Sequence, residues 1–286
     1  MKGQFDNRVM SNFFLWFDHT LLKKGEAFTN YGSKFYPVNS LYQGLYSYGS
    51  PFKQFVSDSS IPNSNVINQI FINGVATSKG SSNFVALNYG MGQAYFSSQP
   101  ASSVVLSGNY SVKDFNVYLT NDIEEKLLFE TQFSLSAKTS QNPEGLPPES
   151  LTYPAVFLKN NGGHNEPFAF GGTDKTLFNI RAIVLADSQF NLDAVSSIFR
   201  DTNKTFVPLI KEEDMPFDSL GDFKGGTIYN FDTLTSNIPE TGKIFIDNVY
   251  TTKVGGLSFA QKTNINPSVF SLIIDFELEH FREPRQ

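Results

Sequence analysis

The sequence predicts a mainly β protein: antiparallel β-sandwich or barrel-like sheets, one or two short helices, and an extended N-terminal segment. Three observations carry this. Apolar and polar residues alternate in several runs, which is the period of a half-buried strand. Clusters of Gly, Asn, Ser and Pro separate those runs at short intervals, as in sandwiches and barrels and unlike alternating βα units. Helical periodicity is confined to one short stretch near residue 195.

Residues 1–60 carry Tyr31, Phe35, Tyr36, Tyr42, Tyr46, Tyr48, Phe52 and Phe55 among Gly, Ser and Lys, with weak periodicity. They read as an extended, aromatic-rich segment draped over a neighbouring body, its own or another subunit's. Residues 61–140 read as a β-rich domain with strand candidates Val66–Ile72, Phe84–Tyr89 and Ser103–Leu106. Phe115–Leu119, the turn formers Thr120-Asn121-Asp122 and the alternating Leu127, Phe129, Thr131, Phe133 and Leu135 predict a β-hairpin over 110–136.

Residues 141–153 contain Pro143, Pro147 and Pro148 and keep no periodicity, so they read as a linker or long loop. Residues 154–286 read as a second β-rich domain. Its strand candidates are Leu177–Ala186, Thr227–Asp232 and Ile244–Tyr250. Ile180–Ala186 is apolar on both faces apart from Arg181, which suits a central strand. Phe270, Leu272, Ile274, Phe276 and Leu278 give the clearest alternation in the chain. The short helix is expected over 191–201, capped by Asn191, with Ala194, Val195, Ile198 and Phe199 on one face.

Composition narrows the function classes. The 286 residues include 29 Phe, 12 Tyr and one Trp, no Cys, and only 17% charged residues. The absence of Cys excludes disulfide scaffolds, zinc ribbons and thiol nucleophiles. A net charge of −6 is the opposite of the basic face that nucleic-acid binders carry. No run approaches the ~18 apolar residues of a membrane span. Phe13-Phe14-Leu15-Trp16-Phe17 stops at Asp18-His19 without a small-residue cleavage site, so the chain is expected to be made and assembled in the cytoplasm. Aromatic excess with few charges also fits a surface buried between chains.

Chemistry-bearing motifs are weak. His19, His164 and His280 lie at no metal-ligand spacing and read as scattered loop and strand-end histidines. Gly171-Gly172-Thr173-Asp174-Lys175-Thr176 lacks the spacing of a phosphate loop and reads as a turn. Gly90-Met91-Gly92 lacks the third Gly and the helix of a dinucleotide site and reads as a bend or bulge. Asp187-Ser188 closes a strand with no His near in sequence. Glu212-Glu213-Asp214, with Asp218 and Asp222, could attract Ca²⁺ but follows no EF-hand pattern and reads as a solvated loop. Asn109-Tyr110-Ser111 and Asn203-Lys204-Thr205 match a glycosylation pattern that is meaningless without secretion. No catalytic, cofactor-binding or metal residue is assigned.

Three passages carry a resemblance: 12–18 (NFFLWFD), 178–188 (FNIRAIVLADS) and 271–281 (SLIIDFELEHF). With the style of the whole chain, they make it resemble a virion structural protein of a tailed bacteriophage, of the neck or tail. That resemblance implies a ring-forming, non-enzymatic subunit located in the virion. The chain would be a neck protein (head-to-tail connector) or a tail protein, its partners itself and other virion proteins, with no cofactor, no membrane insertion and no sequence-specific nucleic-acid contact. On this reading, deleting residues 1–60 should leave a folded protein unable to assemble. A carbohydrate-binding, adhesin-like β-sandwich is the alternative, and an enzyme whose site forms only in three dimensions is the third.

Overall fold

A computed structural model describes residues 5–131, 136–137, 152–168, 174–218, 221–254 and 269–282. Two largely antiparallel β bodies meet along one helix, and the chain is mainly β, as the alternating runs predict.

Helix α1 (Phe5–Lys24) comes first, followed by β1 (Phe28–Tyr42), β2 (Leu45–Gly49), β3 (Gln69–Ile72), β4 (Val75–Ser78), β5 (Phe84–Asn88), β6 (Gln93–Phe96) and β7 (Leu106–Lys113). These strands form a seven-stranded sheet in the order β4-β3-β7-β1-β2-β6-β5. β1 spans two halves: Phe28–Phe35 pairs with β7, and Tyr36–Tyr42 pairs with β2. The edge strands β4 and β5 are joined by residues 79–83, where the Gly80 amide bonds the Phe84 carbonyl. The seven-stranded sheet is curled and barrel-like, with its two edge strands consecutive in the chain. Its interior holds Phe35, Phe55, Ile70, Phe84, Phe96, Leu106 and Tyr110. Two tight hairpins use left-handed residue pairs, Gln43-Gly44 (φ 49° and 81°) and Asn73-Gly74 (φ 49° and 82°), the backbone that a two-residue loop between twisted strands requires.

The second body follows: β8 (Asn116–Leu119), a π-helical turn (Lys126–Thr131), and the short parallel pair β9 (Ser136–Ala137) and β10 (Thr152–Tyr153). Next come β11 (Ala155–Pro167), β12 (Asp174–Ala186), α2 (Gln189–Arg200), β13 (Phe206–Pro208), α3 (Phe231–Thr235), β14 (Lys243–Lys253) and β15 (Phe270–Arg282). The six-stranded sheet has the order β13-β14-β15-β12-β11-β8, antiparallel except for β8 against β11. β12 is internal in that sheet, flanked by β15 and β11. One face is covered by α1 and α2, through Phe13, Phe17, Phe199, Phe276 and Ile274. The Phe17 and Phe199 rings stack at 3.8 Å and 11°.

Several elements differ from the sequence expectation. Residues Phe5–Lys24 are helical, not extended. Val9, and every residue from Asn12 to Leu22, is buried. A helix covered on nearly all sides shows no apolar stripe, so its 3.6-residue period is hidden. The extended remainder of the N-terminal segment supplies β1 and β2, which are interior strands of the barrel. Residues 1–60 are thus not a draped, removable piece: they hold α1 and two strands of the sheet. Deleting them removes parts of both cores, and the expectation of a folded truncation is withdrawn.

The hairpin over 110–136 does not form. β8 pairs in parallel with Ala155–Leu158, and residues Lys126–Thr131 turn as a π-helix with Leu127 buried. Phe133 and Leu135 lie outside the described residues. Thr227–Asp232 is not a strand; Asn230 caps α3 by accepting from the Thr233 amide. α2 starts two residues early, with Ser188 rather than Asn191 as its cap. The expected linker over 141–153 lies outside the described residues except for Thr152 and Tyr153, which form β10.

Candidate functional site

The two bodies meet at a buried polar junction built by α1. Successive residues of its third and fourth turns face different partners. The Lys113 ammonium, at the end of β7, donates to Asp18 Oδ2 at 2.7 Å, and both side chains are buried. The His19 ring lies with Nδ1 2.7 Å from Asp58 Oδ2 and Nε2 3.6 Å from Asp232 Oδ1. It stacks on Phe231 at 4.2 Å between ring centres. One turn on, Lys23 Nζ donates to both oxygens of Asp232 at 2.8 Å.

Asp58 is fully buried, and burial alone would raise its pKa. Four hydrogen bonds outweigh that and hold the carboxyl below its ordinary value. His19 supplies one; the Ser60 amide (2.9 Å), the Ser60 hydroxyl (2.6 Å) and the Phe231 amide (3.2 Å) supply the others. Tyr229 is buried beside Asp18 and Asp58, and burial followed by those two charges pushes its phenol well up.

A histidine between two carboxylates has the parts of a general base and its orienting group. Here both imidazole nitrogens already face carboxylates and one ring face is covered by Phe231. Nδ1 is held by Asp58, and Nε2 faces Asp232 at a distance beyond a hydrogen bond. The cluster works as a clamp tying α1, the 50–60 loop and α3 together.

Above the Asp18–Lys113 pair a cleft of about 510 Å³ opens between the bodies. Tyr42, Gln54 and Asn88 line it from the barrel, and Phe14, Tyr118 and Phe223 from the other side. The Tyr42 ring lies flat on Tyr95 at 4.9 Å and is 42% exposed, so its outer face is open. Gln54 takes a left-handed backbone (φ 59°) that lets its amide bond the Gly90 carbonyl and its own carbonyl accept from Lys113. Asn88 Oδ1 accepts from the Met91 amide. The cleft presents aromatic rings and amides to solvent.

The residues singled out by sequence do not converge. His19 is a buried helical residue and not a loop histidine. His164 is exposed on β11, 3.0 Å from Glu166, and His280 stacks on Phe5 and donates to the Lys243 carbonyl. Of the Gly171–Thr176 stretch, residues 171–173 lie outside the described residues and the rest begins β12. Gly90-Met91-Gly92 forms the β5–β6 connection, and Ser188 is the α2 cap. Glu212–Asp214 is one exposed 3₁₀ turn, and the Asp222 amide bonds Asp218 Oδ1. Among the described residues no group of three or more His, Cys, Asp or Glu could hold a metal. Among them, too, no helix is long and apolar enough to cross a membrane. Asn109-Tyr110-Ser111 lies in β7 with Tyr110 buried.

Sequence reasoning missed Asp18, Asp58, Lys113 and Asp232. A charged pair inside the apolar run 13–22, Asp18-His19, was the available signal, because buried charges demand partners. No family model and no curated protein matches this chain.

Proposed function

We propose that this chain is a non-enzymatic structural subunit of a tailed-phage particle, in the neck or tail, assembling as a homo-oligomeric ring with other virion proteins. The observation that carries the reading is the set of large apolar side chains left in solvent although the chain has two well-filled cores. Phe190, Val75, Phe168 and Leu41 are each more than half exposed. Phe168 meets Phe281, itself 44% exposed, edge-to-face at 4.7 Å. An exposed apolar pair such as Phe168 and Phe281 is the kind of surface that a contact between chains covers.

The aromatic excess as a whole is weaker support than composition suggests. Phe13, Phe17, Phe35, Phe55, Phe84, Phe96, Phe199 and Phe276 all fill the chain's own interior. The side chains left to meet a neighbouring chain are the exposed minority. Light-scattering mass of the purified protein, beside electron microscopy of the same sample, tests it. A ring of defined copy number supports it, and a monomer at every concentration up to the solubility limit sinks it.

A carbohydrate-binding role is favoured by one feature, the open ring of Tyr42 at a cleft that also presents Gln54 and Asn88. Aromatic platforms with planar amides suit sugar rings. A glycan array decides this reading, and silence across it counts against it.

A further inference from the structure

A groove of about 200 Å³ lies where the end of α1, the start of β1 and one side of α2 come together. Leu21, Phe115 and Ile198 supply its apolar wall, and Glu26, Asp114, Asp187 and Asn191 its polar one. At its mouth stands Phe190, in the first turn of α2, with 81% of its surface in solvent. Leaving a phenyl ring so exposed forgoes the gain of its burial, and such a ring beside a groove with an apolar wall is the pattern of a contact waiting for a partner.

The charged residues that line it are of one sign. Glu26, Asp114 and Asp187 line the groove, and its described lining residues include no Lys, Arg or His. The C-terminal end of the 20-residue α1 also points here: the amides of Gly25 and Ala27 both bond the Leu21 carbonyl at that end. A helix C-terminus adds partial negative charge. Two features oppose this. Lys24 sits on the same last turn, and α2 brings its positive end. The second is answered locally, because the Ser188 hydroxyl caps the Asn191 amide and Asp187 stands one residue before the cap.

We infer that this groove docks an arginine side chain presented by a partner protein. A guanidinium has the attributes the groove asks for: a permanent positive charge, a planar fork for carboxylates, and a flat face that stacks on an aromatic ring. Its three-carbon stem would cover the apolar wall while the head reaches Asp187 or Glu26. The volume suits one long side chain rather than a helix or a strand. The inference deepens the assembly reading by giving one contact its chemistry.

The test is an NMR titration of the intact chain with two blocked dipeptides, acetyl-Arg-Phe-amide and acetyl-citrulline-Phe-amide. Citrulline keeps the shape and loses the charge. The arginine peptide should shift the amide signals of Gly25, Ala27 and Phe190 saturably, and the citrulline peptide should bind about tenfold more weakly. Phe190→Ala and Asp187→Asn should each weaken the arginine peptide, and neither removes a buried side chain. Absence of saturable shifts at those amides, equal binding of both peptides, or no change in either variant overturns the inference. A ring in solution that ignores arginine would sink this contact and leave the assembly reading standing; a strict monomer that binds arginine would do the reverse.

Discussion

Lys113 and Asp18 form an ion pair of 2.7 Å with both side chains buried, and it is the polar bolt between the barrel and α1. Each charge is acceptable inside only because the other is there. Lys113→Met or Asp18→Leu alone strands one charge and should cost about 3–5 kcal/mol. The double variant should recover most of that loss, since a matched apolar pair leaves no buried charge behind. Urea unfolding of the three variants measures the coupling; additive losses would contradict it.

Asp58 sets an acid limit on stability. Its folded-state pKa lies below the ordinary value, because hydrogen bonds from His19, Ser60 and Phe231 outweigh the opposing effect of burial. A group with a depressed folded pKa stabilises fully above its unfolded pKa, about 3.9, and the stabilisation drains away as pH falls through the folded pKa. The stability curve of the wild type should therefore drop on acidification below about pH 5. Asp58→Asn should be less stable at neutral pH, with a shallower acid limb. Thermal melts between pH 3 and pH 7 show whether the limbs differ.

The stack of Phe17 on Phe199, with Phe13, Trp16 and Phe276 around it, is the centre of the helix-on-sheet core. Phe17→Ala should cost about 3–5 kcal/mol through lost burial and the cavity left. Phe17→Leu should cost much less, because most of the volume is kept. Chemical denaturation with an unchanged m-value identifies the loss as packing.

Arg181 offers the contrasting case. Its guanidinium holds Asp275 through two bonds, 2.6 and 2.9 Å, and Glu124 at 2.6 Å, on a partly exposed face of the sheet. Water and salt screen that cluster, so Arg181→Met should cost only about 1 kcal/mol. The loss should shrink further in 1 M salt, and a loss as large as that at Lys113 would be unexpected.

Gly92 has φ +63°, and a Cβ there would stand 2.0 Å from the Phe52 carbonyl oxygen. Gly92→Ala must move backbone, not merely a flexible side chain, and should destabilise by at least ~1 kcal/mol. The melting temperature of that single variant is the check.

The strand at 270–282, the internal strand at 174–186 and the helix near 195 were legible because each depends on neighbours in sequence. A sheet with one buried face imposes period two on Phe270 through Leu278, and a strand covered on both faces imposes an apolar run on Ile180–Ala186. The Asn73-Gly74 turn was equally legible and went unread. Of the candidate site only the charged pair Asp18-His19 inside the apolar run 13–22 was legible. His19 and Asp232 meet across 213 residues of sequence, and Asp18, Asp58 and Lys113 join them from equally separate elements, so no local pattern announces such a meeting.

By itself the sequence determined a mainly β chain with two apolar interiors, because backbone period and side-chain hydrophobicity act locally. The tertiary structure decided that Phe5–Lys24 is a helix, that β8 joins β11 in parallel, and that the barrel strands β1–β7 are inserted between α1 and β8. These outcomes follow from which distant surface covers each segment. α1 lost its amphipathic signature by being buried on nearly every side. The alternating residues 127–131 form a π-helical turn, and β8 takes Ala155–Leu158 as its partner instead.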